Sequence, residues 1–150
     1  MNRSCFTLSV VPGPHMNCPA DWFDFGTNAD GLDFINDCMV QLGMAMDEEL
    51  VPRPVTAERH LSSRTYDPWR ASRASCQDAL EAWQKAVRQT CSGKRPPNSD
   101  DEDRVIGDTA QQVYDDLSCQ GCRERAVRFW SSWLRFLEIA ADEDGLEMWH

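Results

Sequence analysis

The stretch Arg123–Ala141, RERAVRFWSSWLRFLEIAA, decides the fold. Wound as a helix, it places Ala126, Val127, Trp130, Trp133, Leu134, Leu137, Ala140 and Ala141 on one side at i, i+3, i+4, i+7 spacing. Phe129, Phe136 and Ile139 widen that side. Only a narrow polar strip remains: Glu124, Arg128, Ser131, Ser132, Arg135 and Glu138. A rod this apolar needs cover around most of its circumference, from its own chain or from a second copy. The expected fold class is therefore all-α: a compact bundle of four to six helices around a very apolar C-terminal helix, with an extended N-terminal arm. A homodimer would be one way to supply the cover.

Upstream, Ile106, Ala110, Val113 and Leu117 trace another buried stripe. The stripe then slips onto Cys119, Cys122, Ala126 and Trp130, which predicts a kink or break around Ser118 to Gly121. The run KRPPNSDDED, residues 94–103, reads as a flexible acidic loop. Ser99 and Glu102 form a capping box at its end, with the acids in the first turn of the next helix. Before it, Asp67-Pro68 marks a helix start that Trp69 opens, with Ser75 and Asp78 as a further local cap. Cys76, Ala79, Leu80, Trp83, Ala86, Val87 and Thr90 form its inner face, and Gly93 stops it. Thr56 is suited to cap a short helix from Ala57 to about Arg64.

The first helix is expected from Thr27 or Asn28, burying Leu32, Ile35, Met39, Leu42 and, if it runs that far, Met46, with Phe34 and Cys38 at the edge; it ends either at Gly43 or near Glu49, and Pro52 and Pro54 stop it in either case. Residues 1–26 form the arm and residues 27–150 a single helical domain. In the arm, Phe6, Leu8 and Val10 alternate with Thr7 and Ser9, the pattern of a short strand. Trp22, Phe23 and Phe25 are suited either to pin the arm to the body or to dock on another protein. The N-terminus is a poor signal peptide, and no apolar run reaches 18 residues, so an intracellular protein without a membrane span is expected.

The net charge of −10 is unevenly spread. Residues 4–52 carry eight acids and no Lys or Arg; residues 53–95 carry nine basic residues against four acids; residues 96–150 carry thirteen acids against five Arg. The simplest arrangement packs the middle segment against the other two. The negative field disfavours direct nucleic-acid binding. Seven cysteines without a secretion signal read as mostly reduced thiols. Cys76 and Cys91 share one predicted helix and lie too far apart to bond each other.

No catalytic signature, nucleotide loop or complete metal site is present, and no enzyme activity or cofactor is expected. Cys119 and Cys122 have the spacing of half a zinc site, and no second pair completes it. They are weighed as zinc ligands, as a redox pair, or as small core residues of a kinked helix. His15, His60 and His150 have no nucleophile or carboxylate at motif spacing. The favoured expectation is a small acidic protein that binds and modulates another protein, through a groove, an exposed stripe or the aromatic arm. Met39, Met44 and Met46 suit either such a groove or the core. The candidate partner-binding residues are Asp30, Asp33, Asp37, Asp47, Glu48, Glu49, Trp22, Phe23 and Phe25. The alternative is a nucleic-acid mimic that presents those acids, with Asp100 to Asp103, Asp115 and Asp116, to a basic cleft. A zinc-stabilised module comes third.

Overall fold

The computed structural model describes residues 5–11, 13, 24–45, 69–91, 94–113 and 120–149. The chain runs β1 (Cys5–Val10), β2 (Asp24–Asn28), α1 (Ala29–Gln41), β3 (Trp69–Ala71), α2 (Arg73–Thr90), α3 (Ser99–Val113), α4 (Gln120–Asp142) and β4 (Leu146–Trp149). Helix predominates, so the helical expectation holds in outline, and a small sheet is added to it. The strands form one antiparallel sheet in the order β2-β1-β4-β3, which makes this a helical body with a sheet on one side.

The sheet is built from segments far apart in sequence. Leu8 faces Phe25 on one side and Met148 on the other. Hydrogen bonds from the Val11 amide to the Gly145 carbonyl and from the Asp144 amide to the Val11 carbonyl, both 2.9 Å, carry the β1–β4 ladder beyond the strands. Alternation fixes which side faces inward: Phe6, Leu8, Val10, Leu146 and Met148 are buried, whereas Thr7, Ser9 and Glu147 stay partly in water.

α4 lies between the sheet and the helices α2 and α3. Trp130, Trp133, Phe136, Leu137, Ala140 and Ala141 are buried on it, while Glu124, Arg125, Arg128, Ser131, Ser132, Arg135 and Glu138 are exposed. Phe25 of β2 reaches across to Phe129, Trp133 and Phe136, with ring centroids 5.5, 5.5 and 5.8 Å away. On the opposite flank Trp83 of α2 packs on Trp130 at 5.6 Å. Burying a side chain such as Leu137 or Ile35 contributes about 1.5–3 kcal/mol. The indole N–H groups of Trp130 and Trp133 find no acceptor among the described residues. Each such orphan costs about 1–3 kcal/mol, which the surrounding aromatic packing must exceed.

Local signals set the helix ends. The Asn28 side chain accepts a 2.9 Å hydrogen bond from the Gly31 amide and caps α1. At the other end Gly43 turns left-handed at φ +74, and the Met44 amide bonds back to the Met39 carbonyl at 2.8 Å, which closes a Schellman motif. The start expected at Asp67-Pro68 is corrected. Trp69–Ala71 is the edge strand β3, and α2 begins at Arg73 with Ser72 as N-cap, because pairing with β4 overrides the local cap.

The α3 cap lies one residue earlier than predicted. Asn98 is the cap: its side chain accepts from the Asp101 amide at 3.1 Å, and the Asp101 carboxylate accepts from the Asn98 amide at 3.0 Å. Asp101 also takes two charge-assisted bonds from Arg95, at 2.6 and 2.8 Å, and one from the Cys91 thiol at 3.3 Å. Those bonds, with Arg95 foremost, hold its carboxyl well below the usual carboxylate range. The acids of residues 94–103 fall in the first turn of α3, as their capping signal predicts, and the link before them is tied to α3 through Arg95 and Asp101.

Among the described residues the basic middle segment meets the acidic C-terminal segment. Arg73 pairs with Asp144 at 3.0 Å and also donates to the Glu143 carbonyl, joining the basic middle to the acidic end of the chain. The expected short helix at 57–64 and the expected break at 118–121 fall wholly or partly outside the described residues. No helix among the described residues is long and apolar enough to cross a membrane.

Candidate functional site

Two hollows flank the first turns of α4. One lies between α1 and α4, holds about 540 Å³, and is walled by Asp30, Gly31, Phe34, Cys122, Arg125, Ala126 and Phe129. A Cβ on Gly31 would come within 1.9 Å of the Thr27 hydroxyl of β2 and 3.1 Å of the Phe129 ring of α4, so glycine leaves room on α1 for both side chains. Phe34 and Phe129 stand at 5.9 Å with planes at 76°, and Phe25 supports Phe129 from beneath. The floor is apolar and the rims carry opposite charge, exposed Asp30 on α1 and exposed Arg125 on α4.

The second hollow, about 580 Å³ between α3 and α4, is polar. Arg104, Arg123 and Arg128 line it together with Asp103, Glu124 and Val127. The Arg123 guanidinium lies on the bare backbone at Gly107, where an added Cβ would sit 2.6 Å away, and pairs with Asp108 at 3.0 Å. Its charges largely offset one another within the hollow.

The predicted site residues scatter. Asp30 is exposed on the groove rim, while Asp33 and Asp37 are half-buried and already engaged. Asp101, Asp108 and Asp144 are each committed to an arginine. Phe25 is packed into the aromatic cluster on α4 rather than offered to solvent. Met39 and Met44 are buried in the core. Trp22, Phe23, Asp47, Glu48, Glu49, Asp115, Asp116, Cys119 and the histidines His15, His60 and His150 lie outside the described residues.

Most of the cysteines whose side chains are described are reduced, as expected, and Cys122 is the exception. Cys122 is in a disulfide, so its sulfur is not a free zinc ligand, and it stands half-buried on the groove wall rather than in the core. The side chain of its disulfide partner lies outside the described residues. Cys38, Cys76 and Cys91 are free and buried. Burial pushes the Cys38 and Cys76 thiols up to about 12. Burial also raises Cys91, and its hydrogen bond to the Asp101 carboxylate adds to that. Among the described residues no three His, Cys, Asp or Glu side chains gather as a metal cluster would.

Sequence reasoning missed Phe34, Arg125, Ala126 and Phe129 as a shared surface. The available signal was positional: Phe34 and Phe129 sit at the margins of their stripes, and the structure buries Phe34 and leaves Phe129 half-buried. Comparison with known proteins returns no matching family model, no matching curated protein and no matching solved structure.

Proposed function

We propose that this chain is a non-enzymatic binding module that holds a short helical segment of another protein in the groove between α1 and α4. The observation that carries this reading is the apolar floor of Phe34, Ala126 and Phe129 set between Asp30 on one rim and Arg125 on the other. An amphipathic helix fits such a groove by inserting one large apolar side chain. A basic residue one turn to one side would meet Asp30, and an acidic residue on the other side would meet Arg125. The opposed charges fix orientation more than they add affinity.

The test is selection from a displayed library of helical peptides, followed by titration of the winners against the wild type and two variants. Ala126→Trp fills the groove, and Asp30→Lys with Arg125→Glu reverses both rims. The reading expects binders that lose at least tenfold on Ala126→Trp, and that recover on the double reversal when their own charges are swapped. Binders indifferent to both variants would refute it. The same titrations separate the charge-mimicry alternative, since groove binding tolerates salt whereas mimicry weakens steeply as salt rises.

A further inference from the structure

The polar hollow between α3 and α4 gathers three arginines in a chain of net charge −10. Arg104 comes from α3, and Arg123 and Arg128 come from α4. Like charges brought together repel unless something negative sits among them. Arg73 and Arg95 each have a carboxylate of their own, Asp144 and Asp101. Arg104 and Arg128 make no ion pair among the described residues. Asp103 and Glu124 share the hollow, and neither of them is paired there either. The charges balance in sum but are not matched one to one.

The third arginine is seated. Its Nη2, Nε and Cζ atoms lie 2.6, 2.7 and 2.8 Å from where a Cβ on Gly107 would stand. The guanidinium therefore rests on bare helix backbone, and Asp108 holds its Nη2 at 3.0 Å. Glycine weakens a helix interior relative to alanine, so α3 gives up local stability where this group lies close. A guanidinium carries five N–H donors. The Asp108 contact engages Nη2 alone, which leaves the Nη1 donors of Arg123 for a ligand.

We propose that this hollow binds a small hydroxylated phosphate monoester, of the polyol phosphate kind. The phosphoryl oxygens accept hydrogen bonds from Arg104, Arg123 and Arg128, whose planar forks suit them. The ligand's hydroxyls donate to Asp103 and Glu124, and its carbon skeleton lies on Val127. The two carboxylates set the ligand class, because an anion without hydroxyls meets them with repulsion and no hydrogen bond. The hollow's volume of about 580 Å³ falls within the range of small-molecule sites. The chain's overall negative charge acts weakly here, since exposed charges beyond about 8 Å are screened at physiological salt. The site shares no lining residue with the α1/α4 groove, so it stands or falls apart from peptide docking.

The experiment titrates the full chain with glycerol phosphate, inorganic phosphate and glycerol by isothermal calorimetry, at neutral pH and constant ionic strength. Glycerol phosphate is expected to bind, inorganic phosphate about tenfold more weakly, and glycerol not at all. Arg104→Ala and Arg128→Ala are each expected to weaken glycerol phosphate about tenfold, the loss of one charge-assisted hydrogen bond. Both arginines are exposed, so these variants keep the wild-type circular dichroism. Gly107→Ala pushes Arg123 off its seat and weakens binding by a similar factor, at a nearly unchanged urea midpoint. Glu124→Gln narrows the gap between glycerol phosphate and inorganic phosphate. Absence of glycerol phosphate binding would overturn the proposal, as would equal affinity across the folded arginine variants. Inorganic phosphate that binds as tightly as glycerol phosphate would overturn the role given to Asp103 and Glu124, and with it the ligand class.

Discussion

Replacing Gly145 by alanine should cost far more than the same change at Gly43, although both glycines turn left-handed, at φ +93 and +74. An alanine held at positive φ costs about 1–2 kcal/mol. At Gly43 nothing lies within 4 Å of the added Cβ, so that strain is the whole effect. At Gly145 the new atom would sit 2.0 Å from the Ala71 carbonyl oxygen and 2.8 Å from the Ser72 carbonyl carbon. Both are backbone, and the first contact is more than 1 Å short of van der Waals separation. Relief requires β3 to retreat from β4, where Ala71 pairs with Leu146, and tilts the Ser72 cap away from Ser75. A ladder bond and a helix cap are each worth about 1 kcal/mol. The expected loss at Gly145 is therefore about 3–4 kcal/mol, a large part of the roughly 5–15 kcal/mol typical of a domain. Urea denaturation followed by far-ultraviolet circular dichroism measures both variants. In thermal scans each kcal/mol lowers the midpoint by about 2–4 °C at this size. If Gly145→Ala loses no more than Gly43→Ala, the close approach of β4 to β3 is wrong.

Gly107→Ala also creates an overlap, but with the end of the Arg123 side chain, which can swing away. Its stability should stay within about 1 kcal/mol of wild type, because helix propensity gains what the exposed Arg123–Asp108 pair loses, and urea midpoints check this. The depressed Asp101 carboxyl contributes stability that is fully present above the ordinary carboxylate range near pH 4 and is lost as pH falls toward its folded value. The wild-type urea midpoint should therefore drop between about pH 4 and pH 2. Asp101→Asn should be less stable at pH 7 and flatter across that window; parallel curves for the two proteins would remove the clamp as an acid-sensitive element. Leu137→Ala, at a fully buried site on α4, should cost about 2–5 kcal/mol by equilibrium unfolding.

The parts of this fold that could be read from sequence are those whose signal is local. The buried Trp130, Trp133, Leu137 and Ala140 positions of α4, a cap at Thr27 or Asn28, and the alternation of Phe6, Leu8 and Val10 each depend on residues within a turn or two of one another. The sheet was hidden for the opposite reason. β4 offers four residues, Leu-Glu-Met-Trp, and β3 only three, too few to show a period of two. Their partners lie roughly half the chain or more away. A strong local helix-start signal at Asp67-Pro68 then pointed the wrong way for β3. The α3 cap slipped by one residue because Asn98 and Ser99 are both good caps; burial of Asp101 against Arg95 decided between them. For the site, spacing revealed the pair Cys119 and Cys122 but carried no information on oxidation state. The groove joins α1 to α4, and no one-dimensional pattern brings Phe34 beside Phe129.

The pairing of Leu8 with Met148 has a consequence for biosynthesis. A ribosome delivers β1 early and β4 only after α1 to α4, so β1 must wait without its inner neighbour while those helices collapse. During that interval Phe6, Leu8 and Val10 lack a lid on one edge and α4 lacks part of its roof. Such distant closure slows the final step of folding and leaves a sticky strand exposed until it is complete. A nascent chain stalled before Leu146 should therefore recruit holding chaperones that the finished chain does not.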